Sequence, residues 1–171
     1  MAINNEPHIH QLVMCANIFI RKDDKYLVLH RSPQKTFAPD VIHPVGGKID
    51  PNEDPFTTAE REVLEEAGVQ VKNMRLEAVI NELLPPPRRD YNWLIFHFTA
   101  DYAGGDVVTT EEGELVWMTA DEIKASRLFP SVRPLIDKIL NPNAGTVFAT
   151  FAYNEHDDID GGSAVISECA H

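Results

Sequence analysis

Three glutamates, Glu62, Glu65 and Glu66, fall within five consecutive residues, Glu62-Val-Leu-Glu-Glu66. On an α-helix of about 3.6 residues per turn they share one face. Like charges at that spacing repel by a few tenths of a kcal/mol per pair, so the crowding is a cost unless a cation uses it. Magnesium and manganese prefer oxygen ligands and are held by a few carboxylates together with phosphate oxygens. Just upstream, Gly46-Gly47 lets the backbone approach closely, which offers a main-chain carbonyl as a further ligand. Ions at such a site would neutralise a diphosphate and lower the pKa of a bound water. Taken alone, the run reads as a solvated acidic helix face. Its surroundings change that reading.

From Gly47 the chain runs five residues to Glu53, seven more to Arg61, and then Glu62-Val63-Leu64-Glu65-Glu66-Ala67-Gly68-Val69. This resembles the Nudix box at all nine fixed positions over 23 residues, with Val63 and Val69 at the two aliphatic places. The resemblance implies an α/β protein of the Nudix fold, an α/β/α sandwich with a mixed central sheet, in which residues 47–69 form a strand–loop–helix–loop. It also implies a reaction: cleavage of a nucleoside diphosphate linked to another group X, by metal-assisted water attack at phosphorus. Carried over by position, Glu62, Glu65 and Glu66 are the metal carboxylates. Gly47 adds its carbonyl, and Glu53 with Arg61 forms a supporting pair. One of the three carboxylates, or an acid outside the box, is the general base. In similar sequences a further glutamate precedes a strand ending in Trp. Here Glu111, Glu112 and Glu114 precede Trp117, and Glu112 is the expected catalytic and metal-binding residue, with Glu111 second. The implied cofactor is Mg2+, with Mn2+ possible.

The substrate is less legible. The order of elements after Leu115 is similar to that of MutT-type triphosphatases, some of which read an oxidised base with an acidic pair near 128–131. This chain has Leu128-Phe129-Pro130-Ser131 there. That departure argues against oxidised guanine and leaves a nucleoside triphosphate first, ADP-ribose or a nucleotide sugar second and capped RNA third. A Nudix-fold sensor without catalysis is the reading from another class, but the intact glutamate set argues against it. Arg88 and Arg89 are candidates for phosphate contact. Phe37, Trp93, Phe96 and Phe129 are candidates for stacking on a base, although packing is the commoner role of such rings. Trp117 is expected in the core. Of the histidines, His43 lies nearest the box, and His97 must face away from Phe96 and Phe98 if it lies on a strand.

A net charge of −12 disfavours broad contact with nucleic-acid backbone, so a small nucleotide is the expected partner, with no long nucleic acid. The longest apolar run, "LVMCANIFI", is far shorter than the roughly 20 residues of a membrane span. The N-terminus lacks the pattern of a signal peptide, so the expected location is the cytoplasm, as a monomer or homodimer. Cys15 and Cys169 form no disulfide framework.

The elements that must position these residues follow from periodicity. A single domain, 1–171, begins with two strands joined at "KDDK" and a Pro/Gly-rich loop holding one short strand. A helix capped by Asp54, with Pro55 in its first turn, carries Phe56, Ala59, Val63, Leu64 and Ala67 as its apolar stripe and stops at Gly68. Two long strands flank "PPPRRD". The strand "LVWMT", the helices "TADEIKA" and "PSVRPLIDKIL" and the strand "GTVFATFAYN" follow, and 155–171 reads as a partly ordered acidic tail.

Overall fold

The computed structural model describes residues 11–36, 38–84, 91–108, 113–141, 145–156, 158–159 and 164–169. Nine strands form one mixed sheet: β1 (Leu12–Lys22), β2 (Lys25–Arg31), β3 (Ile42–His43), β4 (Val45–Lys48), β5 (Val69–Leu83), β6 (Asn92–Gly105), β7 (Gly113–Thr119), β8 (Thr146–Ala152) and β9 (Val165–Cys169). The order is β3-β2-β1-β6-β5-β8-β9, with β4 also on β1 and β7 also on β2. The pairs β1–β6 and β5–β8 are parallel and the others antiparallel.

The alternation of side chains along a strand sorts β1 between two layers. Ala16, Ile18 and Ile20 face a core shared with Ala59, Val63 and Ala67 of the helical segment, while Phe19 faces a second core with Ile123, Ile136 and Ile139. These last three belong to α2 (Ala120–Ala125) and α3 (Ile136–Ile139). The sheet is thus covered on both faces, which is the α/β/α arrangement. Small residues at 16, 59 and 67 let the first helix lie close to β1 and hold its acidic side at a fixed height.

That helix begins as expected. The Asp54 carboxylate accepts from the Phe56 and Thr57 amides, and Pro55 opens α1 (Pro55–Glu62). The structure departs from a regular helix at its second half: Val63–Ala67 is a π-helical turn, ended by Gly68 in the left-handed region at φ 69°. The expected apolar stripe is correct at Ala59, Val63 and Ala67 but not at Phe56, 45% exposed, or Leu64, 60% exposed. In place of Leu64, its immediate neighbour Val63 takes the core position.

Elsewhere β1 and β2 meet across Asp23-Asp24, with Asp23 at φ 55°. The chain β5–β6 is the expected antiparallel pair; Arg88 and Arg89 in its connection lie outside the described residues. Thr119 and Glu122 form a reciprocal capping box at α2. The helix expected over "PSVRPLIDKIL" is regular only at Ile136–Ile139, after turns around Pro134, which has no amide hydrogen to give. Part of 155–171, expected as a tail, pairs with the sheet: β9 lies antiparallel to β8, and Lys138 of α3 forms an ion pair with Glu168. No helix among the described residues is long and apolar enough to cross a membrane.

Gly68 joins the helical segment to β5 where a side chain cannot fit: a Cβ would lie 2.6 Å from Val108 Cγ1 and 2.8 Å from the Asp106 carbonyl. Gly68→Ala is expected to lower unfolding free energy by at least about 1 kcal/mol in urea titrations, because strain at positive φ adds to the clash. An unchanged midpoint would contradict this account of the helix stop.

Candidate metal and phosphate site

Arg61 is the centre of the acidic cluster. Its Nε donates to Glu53 Oε1 at 2.9 Å and its Nη2 to Glu53 Oε2 at 3.0 Å, a two-pronged grip from helix to preceding turn. Its Nη1 donates to Glu62 Oε1 at 2.9 Å and to Glu65 Oε2 at 3.0 Å. Thr58 Oγ1 donates to Glu53 Oε2 at 2.7 Å, and the Glu53 amide bonds the Asp50 carbonyl. The hydrogen bonds from Arg61, and then from Thr58, hold the Glu53 carboxyl below the usual range, while its acidic partners, Glu53 foremost, keep Arg61 firmly charged. Thr58, fully buried, was not singled out from the sequence, because it occupies a variable position of the box.

The three box glutamates differ in environment. The Glu62 side chain is only 12% exposed and lies against Gly47 so closely that a Cβ there would be 2.3 Å from its Oε1. Glu66 Oε2 accepts from the Gly46 amide at 3.3 Å. Glu65 is 60% exposed and turned toward Arg61. The segment thus brings Glu62 and Glu66 to the Gly46-Gly47 strand and leaves Glu65 at its rim. Among the described residues, no three Asp, Glu, His or Cys side chains stand close enough together to enclose an ion on their own. The donor set nevertheless suits a hard cation. Three carboxylates, Glu53, Glu62 and Glu65, share the Arg61 guanidinium, Glu66 accepts from the Gly46 amide, and magnesium is commonly held by one or two carboxylates with substrate phosphates supplying the rest.

Other expected residues sort as follows. Glu111, Glu112 and Phe37 lie outside the described residues. Glu114 stands on β7 opposite His30. Phe96 packs toward the helical segment rather than into an open site. Trp117 packs edge-on to Tyr102, with Lys22 over its ring. Phe129 meets His43 edge-on at 5.2 Å. Trp93 contacts Tyr91.

Beneath the glycine strand, on the opposite face of the sheet, lies a feature the sequence only hinted at. His97 of β6 is 1% exposed, and neither of its ring nitrogens has a hydrogen-bond partner. Asn17 of β1, 5% exposed, is its register partner across the parallel ladder. Burial pushes His97 down to about 3 and His43 down to about 4. An unpartnered buried polar group costs on the order of 1–3 kcal/mol.

The comparisons with known proteins bear on this geometry. Residues 11–139 match the family model of the NUDIX domain. The chain belongs to the Nudix family. An uncharacterised Nudix hydrolase of Bacillus subtilis, YvcI, is 29% identical over 80% of this chain and 84% of its own length. The NAD-capped RNA hydrolase NudC of Deinococcus radiodurans is 34% identical over 69% of this chain but only 40% of its own length. Among solved structures, the MutT protein of Bacillus halodurans superposes with a TM-score of 0.78 over 91% of this chain and 97% of that one, at 22% identity. This last likeness establishes the Nudix fold.

The buried imidazole sets a pH dependence. His97 is ordinarily a group of pKa near 6.5, and its folded value is lower. Below pH 6.5 the unfolded chain takes the proton first, so stability falls with pH from there until the folded value is reached. Between pH 7 and pH 5 the His97 contribution is a loss of about 2 kcal/mol. Urea titrations at the two pH values should show that loss in the wild type and less of it in His97→Phe. Equal losses in both would contradict the assignment. A second expectation concerns Arg61: Arg61→Lys keeps the charge but loses the fork to Glu53, so the melting temperature should fall and magnesium should recover part of it.

Proposed function

We propose that this Nudix protein is a divalent-cation-dependent pyrophosphohydrolase of small nucleotides, with a nucleoside triphosphate as the first candidate substrate. The observation that carries this reading is the placement of Glu62 and Glu66 on the Gly46-Gly47 strand beside a guanidinium already saturated with carboxylates. Magnesium, when bound, supplies charge neutralisation for the diphosphate and a water of lowered pKa.

The chain's own residues divide the remaining work. Glu62 and Glu66, with the Gly47 carbonyl, are the inner oxygen donors, and Glu65 joins from the rim. Arg61 and Glu53 are positioning residues: they fix the rotation of the helix side chains, so that the carboxylates need little reorganisation when the ion and phosphate arrive. Glu112, from the stretch before β7, is proposed as a further metal carboxylate and as a candidate general base. A carboxylate bound directly to an ion is a weaker base, so a less tightly coordinated glutamate suits that role. The cytoplasm remains the proposed location, in a monomeric or homodimeric state, without membrane or long nucleic acid as partner.

The NudC proteins favour a second reading. They are hydrolases of NAD-capped RNA, and this chain is similar to about 40% of the length of the Deinococcus protein. A dinucleotide diphosphate such as ADP-ribose or an NAD-like cap uses the same metal and phosphate chemistry. A net charge of −12 supports a small molecule over a long RNA. Incubation with nucleoside triphosphates, ADP-ribose, NAD and NAD-capped oligonucleotide in magnesium, followed by phosphate and product analysis, distinguishes these. Turnover abolished by chelator is expected, with Glu65→Gln and Glu66→Gln each lowering the rate at least about 100-fold. Binding without products would support the sensor reading, and near-normal rates in both variants would refute the ligand assignment.

A further inference from the structure

The first half of β5 does not follow a regular ladder. Between the pairs Lys72↔Asp101 and Arg75↔Thr99, β5 carries one residue more than β6, and Asn73 within it takes a left-handed φ of 54°. A second extra residue, Glu77, falls between Leu76↔Phe98 and Ala78↔His97. Bulges of this kind bend a strand and re-aim its side chains. Here Arg21 of β1, Asn73 and Arg75 of β5 and Thr99 and Asp101 of β6 line a cavity of about 120 Å³. Arg21 follows Phe19 in the alternation of β1, so the cavity lies on the face of the sheet opposite the box helix. We propose that it is a second ligand site, separate from the acidic box, for a phosphate-sized oxyanion.

The bonding inside the cluster leaves donors rather than acceptors. Asp101 Oδ1 accepts from Arg21 Nε at 3.1 Å and Nη2 at 2.7 Å, and its Oδ2 accepts from Asn73 Nδ2 at 2.9 Å. Glu77, 2% exposed, accepts from Thr99 Oγ1 at 2.5 Å and pairs with Arg75 Nη2 at 3.1 Å. Burying a carboxylate is costly unless it is paired, and this one holds Arg75 at the cavity. Both acids are thus engaged. Among the described residues, Arg21 Nη1 and Arg75 Nε and Nη1 make no hydrogen bond. The Tyr26 hydroxyl, also on the lining, is turned to the Leu140 carbonyl at 3.1 Å. A guanidinium presents its remaining N–H groups in a plane that matches the oxygens of a phosphate. Lys72, opposite Asp101 in the ladder, adds a third cation against two acids, a local positive excess in a chain of net charge −12. The side chains of Arg21 and Arg75 are 41% and 45% exposed, so an ion reaches them from solvent. Size selects the ligand: pockets for drug-sized molecules span about 300–1,000 Å³, and this cavity is well below that. Two arginines on one small cavity favour a doubly charged ion over a single carboxylate.

Neither metal nor nucleotide is needed to test this site. Inorganic phosphate is titrated into the protein in chelator at low ionic strength, where screening is weak, with the arginine Nε–H resonances followed by NMR. Saturable shifts are expected at Arg21 and Arg75, with acetate weaker than phosphate. Arg21→Gln should weaken phosphate at least about tenfold. Glu77→Gln, which keeps the shape and the bond from Thr99, removes a competing negative charge and should tighten phosphate several-fold. A carboxylate with a purely structural role would not give that gain. Asp101→Asn tests the same charge effect at the more exposed acid. Absence of saturation, shifts spread over the other arginines, or acetate binding as tightly as phosphate would overturn the site. So would unchanged affinity in folded Arg21→Gln, or no gain in whichever of Glu77→Gln and Asp101→Asn folds. Phosphate binding here without nucleotide hydrolysis would leave this site standing and the hydrolase reading refuted; hydrolysis without phosphate binding here would do the reverse.

Discussion

One guanidinium shared among Glu53, Glu62 and Glu65 is the constraint on which the site depends. Carboxylates at helical spacing repel, and without a cation they would splay toward water. Arg61 supplies a permanent internal cation with planar, directional donors, so the acids stay close before any metal arrives. Its grip on Glu53 also ties the helix to the turn before it, and Thr58 completes that tie from inside. Glu62 and Glu66 stand at the glycine strand, where a phosphate would have to lie.

The surrounding fold serves this arrangement. The helix sits low on β1 because Ala16, Ala59 and Ala67 allow it, and β4 lies beside β1 in fixed register, with Ala16 opposite Gly47. A shift of register by one residue would exchange the two faces of β4 and move Gly47 away from Glu62. The β4 register is anchored through β1, whose ladder with β6 is long and largely buried.

Much of this was legible in the sequence, for identifiable reasons. The box residues have strict spacing, and their roles depend on local helix geometry, so Arg61, Glu53 and the glutamates could be placed together before the structure. The cap at Asp54, the stop at Gly68, the β5–β6 pair and the outward turn of His97 from Phe96 and Phe98 are likewise local. What was not legible depends on contacts distant in the chain. The π-helical turn at Val63–Ala67 buries Val63 and Ala67, while Leu64 is exposed and Glu65 stands at the rim. The pairing of Asn17 with His97 joins segments far apart in the chain, and no periodicity in either announces it. Phe96 was a reasonable stacking candidate until the register turned it toward the helix.

The central claim is that Glu62, held by Arg61, and Glu66, held by the Gly46 amide, grip an ion that in turn grips a diphosphate. Crystals grown with manganese and a slowly hydrolysed nucleotide analogue would test it most directly. The account predicts anomalous density between the Glu62 and Glu66 carboxylates, adjoining the phosphates. Phosphates bound elsewhere, or no anomalous peak beside these glutamates at saturating manganese, would contradict it.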